Sequence, residues 1–187
     1  TNTLTLTGVS SGGPVQIALQ EGDIVISGDI YAFNQAVSLT SYRGAILNPS
    51  GTVYVGNGSL TLSAAGSIGN SSRALTLYAY GAELDAQAGT GITVSSDGSL
   101  ILGTVNATPG GAVSITSTSG SLLDDGDAAT GITGSQVNLS AAYGELGGSG
   151  TALSVDTTRL SLTAQGTVAG NNGATLPELT LSPTGGA

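Results

Sequence analysis

The chain has 187 residues with a net charge of −9: twelve acids against three arginines (Arg43, Arg73, Arg159), with no Lys, His or Cys. Three scattered cations cannot neutralise a phosphate backbone, and the acidic surface repels anionic lipid, so nucleic-acid and membrane-surface binding are excluded. Without Cys or His there is no disulfide framework, thiolate metal site or Ser-His-Asp triad, and with aromatics at 4% the core cannot be built from rings.

Two-residue apolar alternation, the mark of a half-buried strand, begins at Leu4-Thr5-Leu6 and recurs along the chain. Clear doublets start at Ile17, Val37, Leu60, Leu75, Ile92, Val113, Val137 and Leu160, and weaker ones at Leu4, Ile24, Val53, Leu100 and Leu179. The clear doublets recur on average about every 20 residues, within the range of solenoid repeats. The weaker ones are expected on other faces of the same coils. Gly, Asn and Asp mark corners at Gly56-Asn57-Gly58, Gly69-Asn70, Asp97-Gly98, Pro109-Gly110-Gly111, Gly147-Gly148 and Gly170-Asn171-Asn172-Gly173. These residues tolerate the positive φ of a sharp turn. The best helix candidate is Ala82 to Ala88. A solenoid is expected over 1–176, followed by a linker or junction over 177–187 with its Ser-Pro-Thr-Gly-Gly run. No apolar run approaches the length of a membrane span.

A longer self-similarity supports coils. Residues 59–77 align with 136–155 with Tyr143 as the one insertion, and Leu60, Leu62, Ile68, Leu75 and Leu77 fall on Val137, Leu139, Leu146, Leu153 and Val155. The matched positions are predicted inward and the variable ones outward. The fold expected is all-β, a right-handed parallel β-helix with coils of about 20 residues and about nine coils in all. Tandem immunoglobulin-like sandwiches are the alternative; they require antiparallel strands.

The densest charge is Asp124-Asp125-Gly126-Asp127. Its three carboxylates are candidates for weak Ca²⁺ binding, since calcium takes six to eight oxygen ligands. The competing reading is a solvated corner. Carboxylate pairs also serve polysaccharide hydrolases, which makes convergence of Asp85, Asp97 and Asp124 a test of catalysis. Tyr54, Tyr78 and Tyr80 are candidate glycan contacts, because exposed rings on a flat face stack on sugars; the competing reading is that they only cover coil edges. Thr between apolar residues could template ice if regular, but the outward position varies and β-propensity explains it. Sequons at Asn57, Asn70, Asn106 and Asn138 matter only in a glycosylating context.

The phrases Leu60-Thr-Leu-Ser-Ala-Ala-Gly-Ser-Ile-Gly, Val137-Asn-Leu-Ser-Ala-Ala-Tyr-Gly-Glu-Leu-Gly and Leu160-Ser-Leu-Thr-Ala-Gln-Gly carry a resemblance over most of 17–170. The chain resembles the repeat region of filamentous-haemagglutinin-like bacterial exoproteins, adhesins secreted by two-partner systems or as autotransporters. The resemblance implies a right-handed parallel β-helix and an adhesive or biofilm-matrix role, outside the cell. It carries over no secretion segment and no binding residue. The expected function is a structural and adhesive, non-catalytic segment of a cell-surface or matrix fibre, without a cofactor apart from weak Ca²⁺. A β-helical polysaccharide-binding or polysaccharide-degrading protein is the alternative. The expected partners are further repeats or neighbouring subunits end to end, because the pattern opens and closes in mid-phrase, and extracellular polysaccharide or a host surface.

Overall fold

A computed structural model describes residues 2–108, 110–148, 152–166 and 168, and the backbone of strands Gly170–Asn172 and Glu178–Pro183. The chain is all-β, with parallel strands stacked as a β-solenoid of about 7 turns of about 23 residues. Every pairing between strands is parallel, which removes the immunoglobulin-like alternative. The coil is longer than the expected 20 residues and the turns fewer than nine. The cause is that the doublets at Leu60 and Leu75 belong to two strands of one turn.

Inward residues form continuous columns. Ile24, Ile46, Ile68, Ile92, Val113, Val137 and Leu160 follow one another in register. Leu39, Leu62, Ala86, Val105, Ile132 and Val155 do the same on the opposite sheet. All of these residues are buried. A single coil cannot hide its own apolar face, so the core exists only through stacking. The weaker doublets at Leu4, Ile24, Val53 and Leu100 take a different face from the clear doublet of their own coil, as expected, whereas Leu179 continues the face of Leu160.

The strand pattern changes midway. In the N-terminal half each turn has two short strands and then a longer one, as in Asp23–Ile26, Ile30–Tyr31 and Val37–Ser41. Both short strands stack in the 13-stranded sheet and the longer one in the 9-stranded sheet. In the C-terminal half the longer strand, as in Ala112–Ser117, lies in the 13-stranded sheet, and the short ones, Leu122–Asp124 and Ile132–Thr133, lie in the other. The turn between them is the pivot. Its strand Gly91–Ser96 accepts both earlier short ladders, through Ser67–Ile68 and Leu75–Ala79. Its strand Leu100–Ala107 hands on to both later short ones.

The aligned phrases therefore sit on opposite sheets: Ser59–Ala64 in the 9-stranded sheet and Gln136–Ala141 in the 13-stranded one. What they share is a corner. Gly69 and Gly147 end the short segment in both phrases, at φ 62 and φ 76, where a Cβ would be strained. The Ser-x-x-Gly corners repeat the same idea. Buried Ser41 Oγ donates to the Gly22 carbonyl and accepts from Gly44 N–H; Ser117 Oγ donates to the Gly98 carbonyl and accepts from Gly120 N–H. Ser117→Ala should cost about 1–2 kcal/mol in denaturant unfolding. The loss stays moderate because Ala141 occupies the same register position one coil on.

Two local expectations change. Ala82–Ala88 is a strand, not a helix, since Ala82, Leu84, Ala86 and Ala88 all face inward at period two between two neighbouring strands. Gly170–Asn172, read as part of a corner, is a short strand on Leu153–Asp156. Within 177–187, Glu178–Pro183 pairs with Arg159–Ala164; the rest of that stretch lies outside the described residues.

A third family of contacts ties each turn to the next through side chains. Asp23 Oδ1 accepts from Ala45 N–H, Asp29 Oδ1 from Thr52 N–H, Asn34 Oδ1 from Asn57 N–H and Asp85 Oδ1 from Thr104 N–H. Each acceptor belongs to the earlier turn and each amide to the later one. Arg43, by contrast, reaches Glu21 at 3.1 Å between two exposed side chains, a contact worth at most about 1 kcal/mol.

Candidate functional site

Register brings the tyrosines together. Tyr31 pairs with Tyr54 and Tyr54 with Tyr78 on three successive turns, all at outward positions. Inward Ile30, Val53 and Leu77 fix that orientation, since neighbours in a strand point to opposite faces. The Tyr31 and Tyr54 rings are stacked, with centroids 4.2 Å apart and 11° between planes. Tyr54 and Tyr78 are 5.2 Å apart and tilted, and Tyr78 meets Tyr80 edge-on at 4.9 Å. Phe33, half exposed, lies two residues beyond Tyr31, and a Cβ at Gly56 would come within 3.0 Å of its ring. Five of the seven aromatic residues thus share one strip along the solenoid. Tyr42 and Tyr143 stand apart at other corners and are exposed.

The strip is bordered by polar groups. Asp29, Thr52 and Thr76 precede Tyr31, Tyr54 and Tyr78 by two residues each and form a second outward column beside the rings. The Tyr80 hydroxyl donates to that of Tyr78. That bond raises the Tyr80 pKa, with desolvation and the Asp97 charge adding to it. The Tyr31 pKa is also raised, first by its hydrogen bond with Tyr54, then by desolvation and by Asp29. At neutral pH Tyr31 and Tyr80 are neutral, and the strip offers ring edges and hydroxyls rather than anions.

A polar cleft of about 370 Å³ opens beside this column, between the loops 48–52 and 72–76 of consecutive turns. Thr52 and Thr76 belong to both the cleft and the column, and Asn48, Ser72 and Arg73 complete it. Arg73 Nη1 donates to the Pro49 carbonyl and pins one loop to the other. Asn48 is 5% exposed; its amide nitrogen donates to the Ala74 carbonyl at 3.3 Å, while its Oδ1 has no partner.

The carboxylates of the acidic turn accept hydrogen bonds from within the turn. Asp124 Oδ1 accepts from Gly126 N–H, Asp125 Oδ1 from Asp127 N–H and the Thr130 hydroxyl, and Asp127 Oδ1 from Ala129 N–H. One oxygen of each carboxylate thus closes its own turn, and no group of three acids placed to hold a metal occurs among the described residues. Of the acids considered for catalysis, Asp97 stands at the corner beside Tyr80, away from the strand that carries Asp85. The pair that does approach was not foreseen: Asp85 Oδ1 and Asp125 Oδ2 lie 2.6 and 3.6 Å from where a Cβ at Gly103 would sit. Asp85 Oδ1 already holds Thr104 N–H.

Of the strip, the sequence reading singles out Tyr54, Tyr78 and Tyr80 and omits Tyr31, Phe33 and the Asn48 cleft. Tyr31 was findable: like Tyr54 one coil on, it follows an inward apolar residue. Comparison of the chain with protein-family models, curated proteins and solved structures finds no match.

Proposed function

We propose that this chain is a non-catalytic, structural and adhesive β-solenoid segment of an extracellular bacterial surface or matrix fibre, which contacts polysaccharide through the aromatic strip. The observation that carries the reading is the strip itself: four tyrosines and a phenylalanine presented along a stiff parallel scaffold. Main-chain pairing fixes the spacing of successive rings at about 4.8 Å. Rings held this way lose little freedom when a ligand packs against their edges and hydroxyls, so the contact energy is retained. The sparse charge supports neutral glycans over anionic ones. A solenoid coil contacts only its neighbours, so further repeats or neighbouring subunits extend the rod by the same pairing.

The test is affinity electrophoresis through gels containing neutral polysaccharides. Wild type should be retarded, and Tyr54→Ala/Tyr78→Ala should run at the rate seen without glycan. Reducing-end and unsaturated-product assays on pectin and alginate should stay at background. Turnover abolished by Asp85→Asn or Asp125→Asn would replace the adhesive reading with a catalytic one.

A further inference from the structure

We propose that Tyr78 and Tyr80 are an oxidative coupling site, joined as dityrosine when a haem peroxidase and hydrogen peroxide act on the chain. Three observations carry it. First, the chain has no Cys, Met, Trp or His. Its readily oxidised side chains are its six tyrosines, and Tyr31, Tyr54, Tyr78 and Tyr80 touch ring to ring in succession. Tyr31 is 45% and Tyr80 54% exposed, so an oxidant can take an electron at either end. Electrons pass readily between touching rings, so an oxidising equivalent that enters at Tyr31 reaches Tyr78 and Tyr80. Second, the Tyr80 hydroxyl donates to that of Tyr78, and the two rings meet edge-on at 4.9 Å. Phenoxyl radicals couple through the ε carbons, which flank the hydroxyl. Contact of the hydroxyls therefore brings the reacting carbons together, and in the product the two hydroxyls still lie side by side next to the new bond.

Third, the backbone decides which pair can close. A bond between ε carbons lays two rings side by side and spreads their Cβ atoms. Tyr31, Tyr54 and Tyr78 stand opposite one another on neighbouring strands, where main-chain pairing holds the side-chain roots about 4.8 Å apart. That spacing suits rings lying face over face, as Tyr31 and Tyr54 do. Residues two apart along an extended run are about 6.6 Å apart and point the same way. Tyr78 and Tyr80 have that relation, since the Tyr80 N–H still pairs with the Gly56 carbonyl just beyond the end of strand Leu75–Ala79.

The step balances without any further group from the chain. Each phenol gives up one electron and one proton, and the two radicals form a C–C bond between ε carbons. Each bonded carbon then releases its hydrogen as a proton while its oxygen takes one up, which restores both aromatic rings and both hydroxyls. Two electrons and two protons leave the chain in all, and they reduce one hydrogen peroxide to two waters.

The experiment treats the intact chain, in dilute solution, with a haem peroxidase and limiting hydrogen peroxide. The product is denatured and cut with trypsin, which cleaves after arginine. Arg43, Arg73 and Arg159 then place Tyr31 and Tyr42 in peptide 1–43, Tyr54 in 44–73, and Tyr78, Tyr80 and Tyr143 in 74–159. Peptide 74–159 should lose two hydrogens by mass and gain dityrosine fluorescence without being joined to another peptide. Tyr80→Phe should lose both signals and Tyr143→Phe should keep both; each removes one exposed hydroxyl and does not burden folding. A main product that joins 44–73 to 1–43 or to 74–159 would overturn the assignment in favour of coupling between turns. Covalent dimers as the main product would overturn it in favour of coupling between molecules. Signals that survive Tyr80→Phe or vanish in Tyr143→Phe would overturn it as well, and so would a wild-type chain that leaves the peroxidase uncoupled.

Discussion

Leu139→Asp should destabilise the chain by about 3 kcal/mol or more in denaturant unfolding. Leu139 is 1% exposed and stands in register between Ile115 and Leu162, both buried. No cation lies in that column to pair a carboxylate, so the new group must either stay charged in an apolar lumen or take up a proton. Burial raises its folded pKa above the unfolded value near 3.9. The folded state then binds more protons than the unfolded one above about pH 4, so stability falls as pH rises from there. The loss should therefore be smaller at pH 4 than at pH 7. Asn138→Asp, on the neighbouring outward position, is the control and should stay within about 0.5 kcal/mol. An unchanged melting curve for Leu139→Asp would mean that the inward register is wrong.

Ser95→Pro should split unfolding into two transitions. Gly91–Ser96 is the strand on which the two short ladders of the N-terminal half merge, and it passes the pairing on to Ala112–Ser117 along its whole length. Ser95 points outward, half-buried between Thr76 and Thr116, so the core is not touched. Proline there removes a main-chain donor and sets a ring against the adjacent coil, which a central strand does not tolerate. In a linear stack, cooperativity is carried by nearest-neighbour interfaces. Several kcal/mol lost at this one interface should uncouple the halves. Hydrogen exchange would read it directly, with protection in 37–64 and 136–164 falling at different denaturant concentrations. One transition, merely shifted, would show that neighbouring coils carry the coupling without this strand.

The inward positions were legible because burial forces a choice between apolar and polar at every second residue. Leu60, Leu62, Leu75, Leu77, Val113, Ile115, Val137, Leu139, Leu160 and Leu162 are all buried as the alternation predicts. Which doublets share a face was not legible, since a corner such as Ser41–Gly44 or Ser117–Gly120 works equally well on either side of the coil. The change of face at the pivot leaves no mark in the phrase, so the coil came out too short. Ala82–Ala88 misled for a related reason: alanine fits either period, and only pairing on both sides decides for a strand. The Asn48 cleft was invisible because it is made by two loops of successive turns, whose chance of meeting depends on that same coil length.

The side-chain ties between turns give the rod a direction in time. The carboxylate or amide oxygen comes from the earlier residue in Asp23–Ala45, Asp29–Thr52, Asn34–Asn57 and Asp85–Thr104. The serine corners obey the same rule from the other side, with Ser41 and Ser117 donating back to carbonyls already laid down at Gly22 and Gly98. During synthesis the N-terminal segments emerge first. Every clasp is thus half built before its counterpart appears, and a coil already stacked on its predecessor waits as a template for the next. Growth from a folded N-terminal edge can then proceed like a zip closing one tooth at a time. Each step closes a loop of only about 23 residues, and loop-closure entropy for so short a segment is modest. A long parallel sheet, ordinarily slow to assemble, becomes a series of short local additions.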